Sequence, residues 1–192
     1  MEKKSAANRS TKSSKKRKSN KKGRSSILFF IIGFVVIMAL FYTFFNTDFF
    51  KENILAFVAN ANASISSLIL NLFGQETTAS GSSVTSSVFS IKVETGCDGI
   101  EPIALFATAV MVFPVAMSYK LPGVLAGSVF LALMNLIRVI SLFLVGVYIP
   151  SIFDFMHVEV WQVIFILLAI VTWLAWIQWV MRKQANAQTA DA

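Results

Sequence analysis

The chain has one cysteine, one histidine and few charged residues, which make up 14% of its 192 positions. With a single thiol, Cys97, there is no internal disulfide and no multi-thiolate cluster, and a lone His157 cannot form a His–His ligand pair. Zinc and haem are therefore left without their usual ligand sets, and no metal site is expected. Neither GxxxxGKS/T nor GxGxxG occurs, so nucleotide binding has no support and no cofactor is expected.

What the chain does have is apolar mass: 56% hydrophobic residues, with 18 Phe and 4 Trp. A small soluble domain cannot close so much apolar surface off from water, so this is a membrane protein. The net charge of +7 hides a split, because residues 1–24 hold 11 of the 17 basic residues and one acid, making the tail +10 and the rest −3. The tail is rich in Ser, Lys and Asn and has no apolar residues to pack, so it reads as disordered. A basic face with interleaved aromatics would point to nucleic acid, whereas this tail predicts contact with anionic lipid, worth up to about 1 kcal/mol per residue near the surface.

Crossing ~30 Å of hydrocarbon takes about 20 apolar residues at ~1.5 Å each, and four windows suffice: Ile27 to Phe45, Ile100 to Met117, Val124 to Val147, and Val158 to Met181. The first is too long for the apolar core of a signal peptide and reads as an uncleaved signal anchor. The basic residues before it place the N-terminus in the cytoplasm, and an even number of spans returns the C-terminus there beside Arg182 and Lys183. A turn from Ser118 to Gly123 is then cytoplasmic. Residues 46–99 and 148–157 face outward and carry only Lys51 and Lys92 as cations against six acids.

Between the first two spans, Phe49, Ile54, Phe57, Val58, Ala61, Ile65, Leu68 and Leu72 recur near helical spacing, opposite Asn53, Asn60, Asn62, Ser67 and Asn71. This pattern predicts an amphipathic helix on the outer interface. A Ser/Thr/Gly-rich linker from Gly74 to Ser90 follows, then Ile91 to Glu94, whose alternation weakly suggests a strand. The fold class expected is an all-α, polytopic bundle of four transmembrane helices plus the interfacial helix. Its sections are a tail (1–24), an anchor (25–46), an outer segment (47–95), a three-helix core (96–181) and a C-terminal tail (182–192). Gly123 and Gly127 form a GxxxG, best explained by close helix packing.

Three residues stand apart from this pattern. Arg138 lies inside a span, where an ionisable side chain costs about 2.5–3.5 kcal/mol on insertion scales, so it faces protein or water. Asn135 and Ser141, at i−3 and i+3, extend it into a polar stripe. Cys97 precedes the second span, where Asp98 and Glu101 have capping-box spacing and Pro102 falls in the first turn, which puts the thiol at a helix N-terminus that favours thiolate. His157 opens the last span, with Asp154 as a candidate N-cap or ring-orienting group. Each has a plainer explanation: an Arg138–Glu101 pair, a small interfacial Cys97, a solvated boundary His157. Topology nevertheless places all three at one depth on the outer side. A nucleophile, an acid/base and a charge stabiliser are a sufficient set for acyl transfer from a peptide bond.

Gly96-Cys97-Asp98-Gly99-Ile100 before a span, Asn135-Leu-Ile-Arg138-Val-Ile140 inside the next and His157 opening the last resemble the exosortase/archaeosortase family of membrane transpeptidases. The resemblance covers roughly Gly96 to Trp179. It implies that Cys97, Arg138 and His157 are catalytic. It also implies membrane-anchored substrate proteins whose C-terminal sorting signal has a recognition motif, a hydrophobic helix and a basic cluster. Cleavage would occur on the outer side of the cytoplasmic membrane through a Cys97 thioester, followed by transfer to an acceptor. Asp98 stands where the family often has a small residue, and a carboxylate there opposes thiolate formation unless Arg138 or the helix terminus compensates. A non-catalytic membrane module that uses Arg138 for assembly is the competing expectation; a polar channel ranks lower, since Val124 to Met134 offers only Ser128 as a polar side chain.

Overall fold

The computed structural model describes residues 27–190, so the basic tail and its expected lipid contact lie outside the described residues. Helix α1 is Ile27–Phe45. After a short break a π-helical turn, Phe50–Leu55, leads into α2, Ala56–Leu72. Three short strands follow, β1 (Thr78–Ser80), β2 (Ser83–Thr85) and β3 (Ser90–Lys92), then α3 (Ile100–Val112) and α4 (Met117–Tyr148). A π-helical turn, Phe155–Val160, opens the last helix, α5, Trp161–Ala190.

Four helices are long and apolar enough to cross a membrane: Ile27–Phe45, Phe50–Leu72, Met117–Tyr148 and Phe155–Thr189. They differ from the expected four in two respects: Phe50–Leu72, expected to lie on the interface, is long and apolar enough to be among them, and the segment from Ile100 is not. Pro114 pushes Phe113 into an extended conformation (ψ 135°), so α3 stops at Val112, about 20 Å long. The expected span from Ile100 to Met117 is thus a shorter helix plus an extended segment. The turn expected at Ser118 to Gly123 is instead the first part of α4, and the real turn lies at 113–116. Lys120 reaches back across it and donates to the Met111 carbonyl at 2.5 Å.

Helix α2 forms where the amphipathic pattern predicts, but the face it packs inward is the small one. Ala59, Ala63, Ser66, Ser67 and Leu70 are buried, whereas Phe57, Leu68 and Leu72 are exposed. Small side chains let α2 approach α4 closely, and the bulky ones are left on the outside of the bundle. The linker expected from Gly74 to Ser90 contains most of a small antiparallel sheet of order β1-β2-β3. Ala79 faces Val84, which faces Ile91. The suggested strand at Ile91 to Glu94 is its third member, displaced by one residue at the start. Val84 and Val93 close the sheet onto Ala59, Ala63 and Leu70 of α2 and onto Val139 and Phe143 of α4.

A second core joins α3, α4 and α5 through Phe106, Val110, Leu131, Trp176 and Val180. The GxxxG pair works by close approach: a Cβ at Gly127 would lie 2.1 Å from Phe106, and one at Gly123 the same distance from Trp176. The Trp176 indole in turn donates to the Tyr119 carbonyl at 3.1 Å. Replacing Gly127 with Val overpacks this seam and is expected to cost about 1–3 kcal/mol. A lowered thermal midpoint in detergent, followed by Trp fluorescence, checks it; an unchanged midpoint means that the seam is loose.

Candidate active site

Cys97 sits in the loop from Glu94 to Ile100, between β3 and α3. Its backbone N–H donates to the Glu94 carbonyl at 2.9 Å. The Asp98 carboxylate accepts from the Ile100 N–H at 2.7 Å and the Gly96 N–H at 3.2 Å. Asp98 therefore closes the loop and caps α3, although the helix proper starts at Ile100 rather than at Asp98. Gly96 and Gly99 have φ of +89° and +82°, a region that suits glycine. A Cβ at Gly99 would also lie 2.9 Å from the Asn135 side chain, so α4 presses directly on the loop.

Asn135 is fully buried and donates to Asn62 Oδ1 at 3.3 Å. Asn62 donates to the Asp98 carbonyl at 3.4 Å and to Val58 in its own helix at 3.0 Å. Two side-chain amides thus connect α4, α2 and the cysteine loop. Asn62 was not singled out in the sequence, where it was one of several polar residues on one face of the amphipathic pattern and carried no signal of its own.

One helical turn beyond Asn135, Arg138 is 7% exposed. Its Nη1 donates to the Gly96 carbonyl at 3.3 Å, and its Nη2 approaches both the His157 carbonyl and Cys97 Sγ at 3.5 Å. Its guanidinium carbon lies 5.5 Å from the centre of the Phe165 ring. The alternative pair with Glu101 is not made. The one ion pair among the described residues is the exposed Lys92–Glu94, at 3.2 Å. Arg138 points into the loop, where backbone carbonyls take the place of a carboxylate, and Glu101 sits across a neighbouring cavity. Arg138 Nε is buried and has no partner, so one strong donor is unspent. Ser141, the outer member of the stripe, bonds back to the Arg138 carbonyl at 2.9 Å instead of facing the site.

His157 lies in the π-helical turn, its Nε2 2.8 Å from Cys97 Sγ. The Asp154 backbone is already helical and its side chain makes no cap bond, so the expected N-cap is absent. Nor does Asp154 hydrogen-bond to the ring among the described residues. The imidazole leans on Phe153, with centroids 5.7 Å apart and planes inclined by 33°. Of the seven residues expected at the site, Cys97, Arg138 and His157 meet, Asn135 and Asp98 brace them, Glu101 stands at the edge of the adjoining cavity, and Asp154 makes no hydrogen bond to the imidazole.

Two cavities meet at Arg138. One, of about 260 Å³, is walled by β3, Cys97, Phe153 and His157. The other, of about 520 Å³, lies between α1, α3 and α5 and is mainly apolar, with Leu105, Phe165 and Trp173 in its lining. Both are lined mainly by apolar surface, and the Arg138 guanidinium borders each.

Burial raises the Cys97 thiol pKa; Arg138 opposes this, while the Asp98 and Glu94 carboxylates add to it. Asp98 is itself pushed up by burial, against the pull of its backbone donors and Arg138. Alkylation of Cys97 as a function of pH reads this balance. Asp98→Asn, which keeps an acceptor for the Ile100 N–H, is expected to move the rise in rate to lower pH, and Arg138→Gln to higher pH. Coincident profiles would remove both charges from the account.

No curated protein and no solved structure matches this chain. The family model described as transmembrane exosortase (Exosortase_EpsH) matches residues 25–174, from the first helix past the catalytic candidates and well into the last. With its thiol, imidazole and guanidinium converging in a multi-pass helical bundle, the chain belongs to the transmembrane exosortase family.

Proposed function

We propose that the protein is a cysteine transpeptidase that cuts membrane-anchored proteins within a C-terminal sorting signal. The observation that carries this reading is the 2.8 Å approach of Cys97 Sγ to His157 Nε2, with Arg138 Nη2 3.5 Å from the same sulfur. His157 Nε2 takes the thiol proton as Sγ attacks the scissile carbonyl carbon, and the oxyanion develops beside the guanidinium. As the C–N bond breaks, His157 returns the proton to the leaving amine, and the upstream portion remains as a thioester on Cys97. An acceptor amine, or another nucleophile such as water, then attacks the thioester and releases the thiolate.

The apolar cavity between α1, α3 and α5 supports entry of the substrate's hydrophobic helix from the side, with the recognition motif reaching Arg138 at its end. In this reading both termini are cytoplasmic, the site faces outward across the cytoplasmic membrane, and the domain boundaries are those expected from the sequence.

Comparison of membrane proteomes tests the reading. In Cys97→Ala cells, at least one protein with a C-terminal hydrophobic helix is expected to accumulate uncut, while the variant itself remains inserted. Loss of the acid/base in His157→Ala is expected to slow processing by about 10²–10⁴-fold, and loss of the charge in Arg138→Ala by about 10²–10³-fold. A thioester-linked peptide on Cys97, detected by mass spectrometry in His157→Ala cells, identifies the intermediate. If Cys97→Ala cells process every such protein normally, the assignment fails. If Arg138→Ala disrupts assembly while Cys97→Ala is silent, the protein is a non-catalytic module.

A further inference from the structure

The small sheet has an open edge beside the nucleophile. β3 pairs with β2 alone, since the strand order is β1-β2-β3. In the β2–β3 ladder the Ser86 N–H donates to the Phe89 carbonyl and the Val93 N–H to the Ser82 carbonyl, both at 2.8 Å, with Val84 opposite Ile91. In an antiparallel pair such groups alternate along the strand, so Phe89, Ile91 and Val93 spend their backbone groups on β2, and Ser90 and Lys92 turn theirs the other way. Neither Ser90 nor Lys92 has a backbone partner beyond the sheet among the described residues.

That open edge forms the cavity wall. Five consecutive residues, Phe89 to Val93, line the 260 Å³ cavity together with Cys97, Arg138 and His157. Alternate side chains of a strand point to opposite faces, so an unbroken run of five in one lining means that the strand's edge, not one of its faces, borders the space. From Val93 the chain turns through a short loop to Cys97, so a strand laid along β3 leads toward the sulfur.

We propose that the free edge of β3 binds the extended segment of the substrate polypeptide next to the scissile bond, as a fourth strand of the sheet. The inference rests on the peptidase reading, which requires a polypeptide to pass through this cavity; it adds how that polypeptide is held. Ser90 and Lys92 offer two N–H and C=O sets about 7 Å apart, the repeat of a strand's alternate residues. Bonding through the main chain fixes register and brings the scissile carbonyl to Cys97 with little demand on side-chain identity.

The test uses the membrane protein that accumulates uncut in Cys97→Ala cells. Lys92→Pro and Ser90→Pro each delete one outward N–H without removing a backbone bond to β2, and each is expected to slow its processing at least tenfold; Ser90→Ala, which loses only the 2.8 Å hydroxyl contact with Thr85 that Ser90→Pro also loses, is expected to process it normally. Ala79→Pro, on the opposite edge of the sheet, is expected to process it at the normal rate. Disulfide trapping guards against misfolding of the proline variants. In a Cys97→Ala, Ser90→Cys protein, single cysteines are placed at successive substrate positions upstream of the cut and are expected to cross-link at every second position. Normal processing by both proline variants, or a cross-linking pattern that is flat or of helical period, overturns strand docking and leaves the peptidase reading intact. If no protein accumulates in Cys97→Ala cells, that reading fails, and strand docking fails with it.

Discussion

A guanidinium buried in an apolar helical bundle without a carboxylate is the constraint on which the rest of this structure depends. Such a cation is costly, and proteins that keep one normally give it an acid. Here the compensation comes from the carbonyls of Gly96 and His157 and from the Phe165 ring. Those contacts come from three separate elements: the cysteine loop, the start of the last helix and its interior. Solvating Arg138 therefore pulls Cys97 and His157 together, and the charge that needs shelter becomes the centre that organises the site. Because no carboxylate is paired with it among the described residues, the charge stays available, in the proposed chemistry, to an oxyanion.

The surrounding architecture makes that approach possible. Asn135 and Asn62 fix the loop from below through the Asp98 carbonyl, and Gly99 allows α4 to lie against it. The sheet closes the other side. Phe89 packs against both Phe143 and Phe153, and Gly146 makes room for its ring. Phe153 then supports the imidazole, which joins the sheet to His157 through a short aromatic chain.

Much of this was legible in the sequence, for identifiable reasons. Arg138 stood out because a charge within a span is rare, and Cys97 and His157 because each is the only one of its kind. Span existence followed from hydropathy, but span ends did not. Pro114 shortened α3, and α4 absorbed the expected turn at Ser118 to Gly123, running on through Pro122 in its second turn. The sheet was largely hidden because three-residue strands rich in Ser and Thr carry almost no periodic signal. The packing face of α2 was not legible for a related reason: hydrophobicity marks the face that avoids water, and beside lipid that face need not be the one that packs against protein. The alternative of an Arg138–Glu101 pair was an argument from charge alone, which gives no weight to backbone carbonyls.

The electrostatics of the loop bear on how the proposed reaction starts. Burial, Asp98 and Glu94 all favour the protonated thiol, and Arg138 alone pulls the other way. A nucleophile in that balance is not held as a standing thiolate. In the proposed chemistry its proton leaves as attack begins, when negative charge passes from sulfur to the carbonyl oxygen and the guanidinium serves the second better than the first. Asp98 is then more than a local hindrance. It closes the loop with two backbone hydrogen bonds, and it adds to burial in favouring the neutral thiol, which lowers the sulfur's reactivity toward oxidants. A small residue at position 98 would leave the sulfur more acidic and the loop less well closed, so this carboxylate trades readiness of the nucleophile for its placement and its survival.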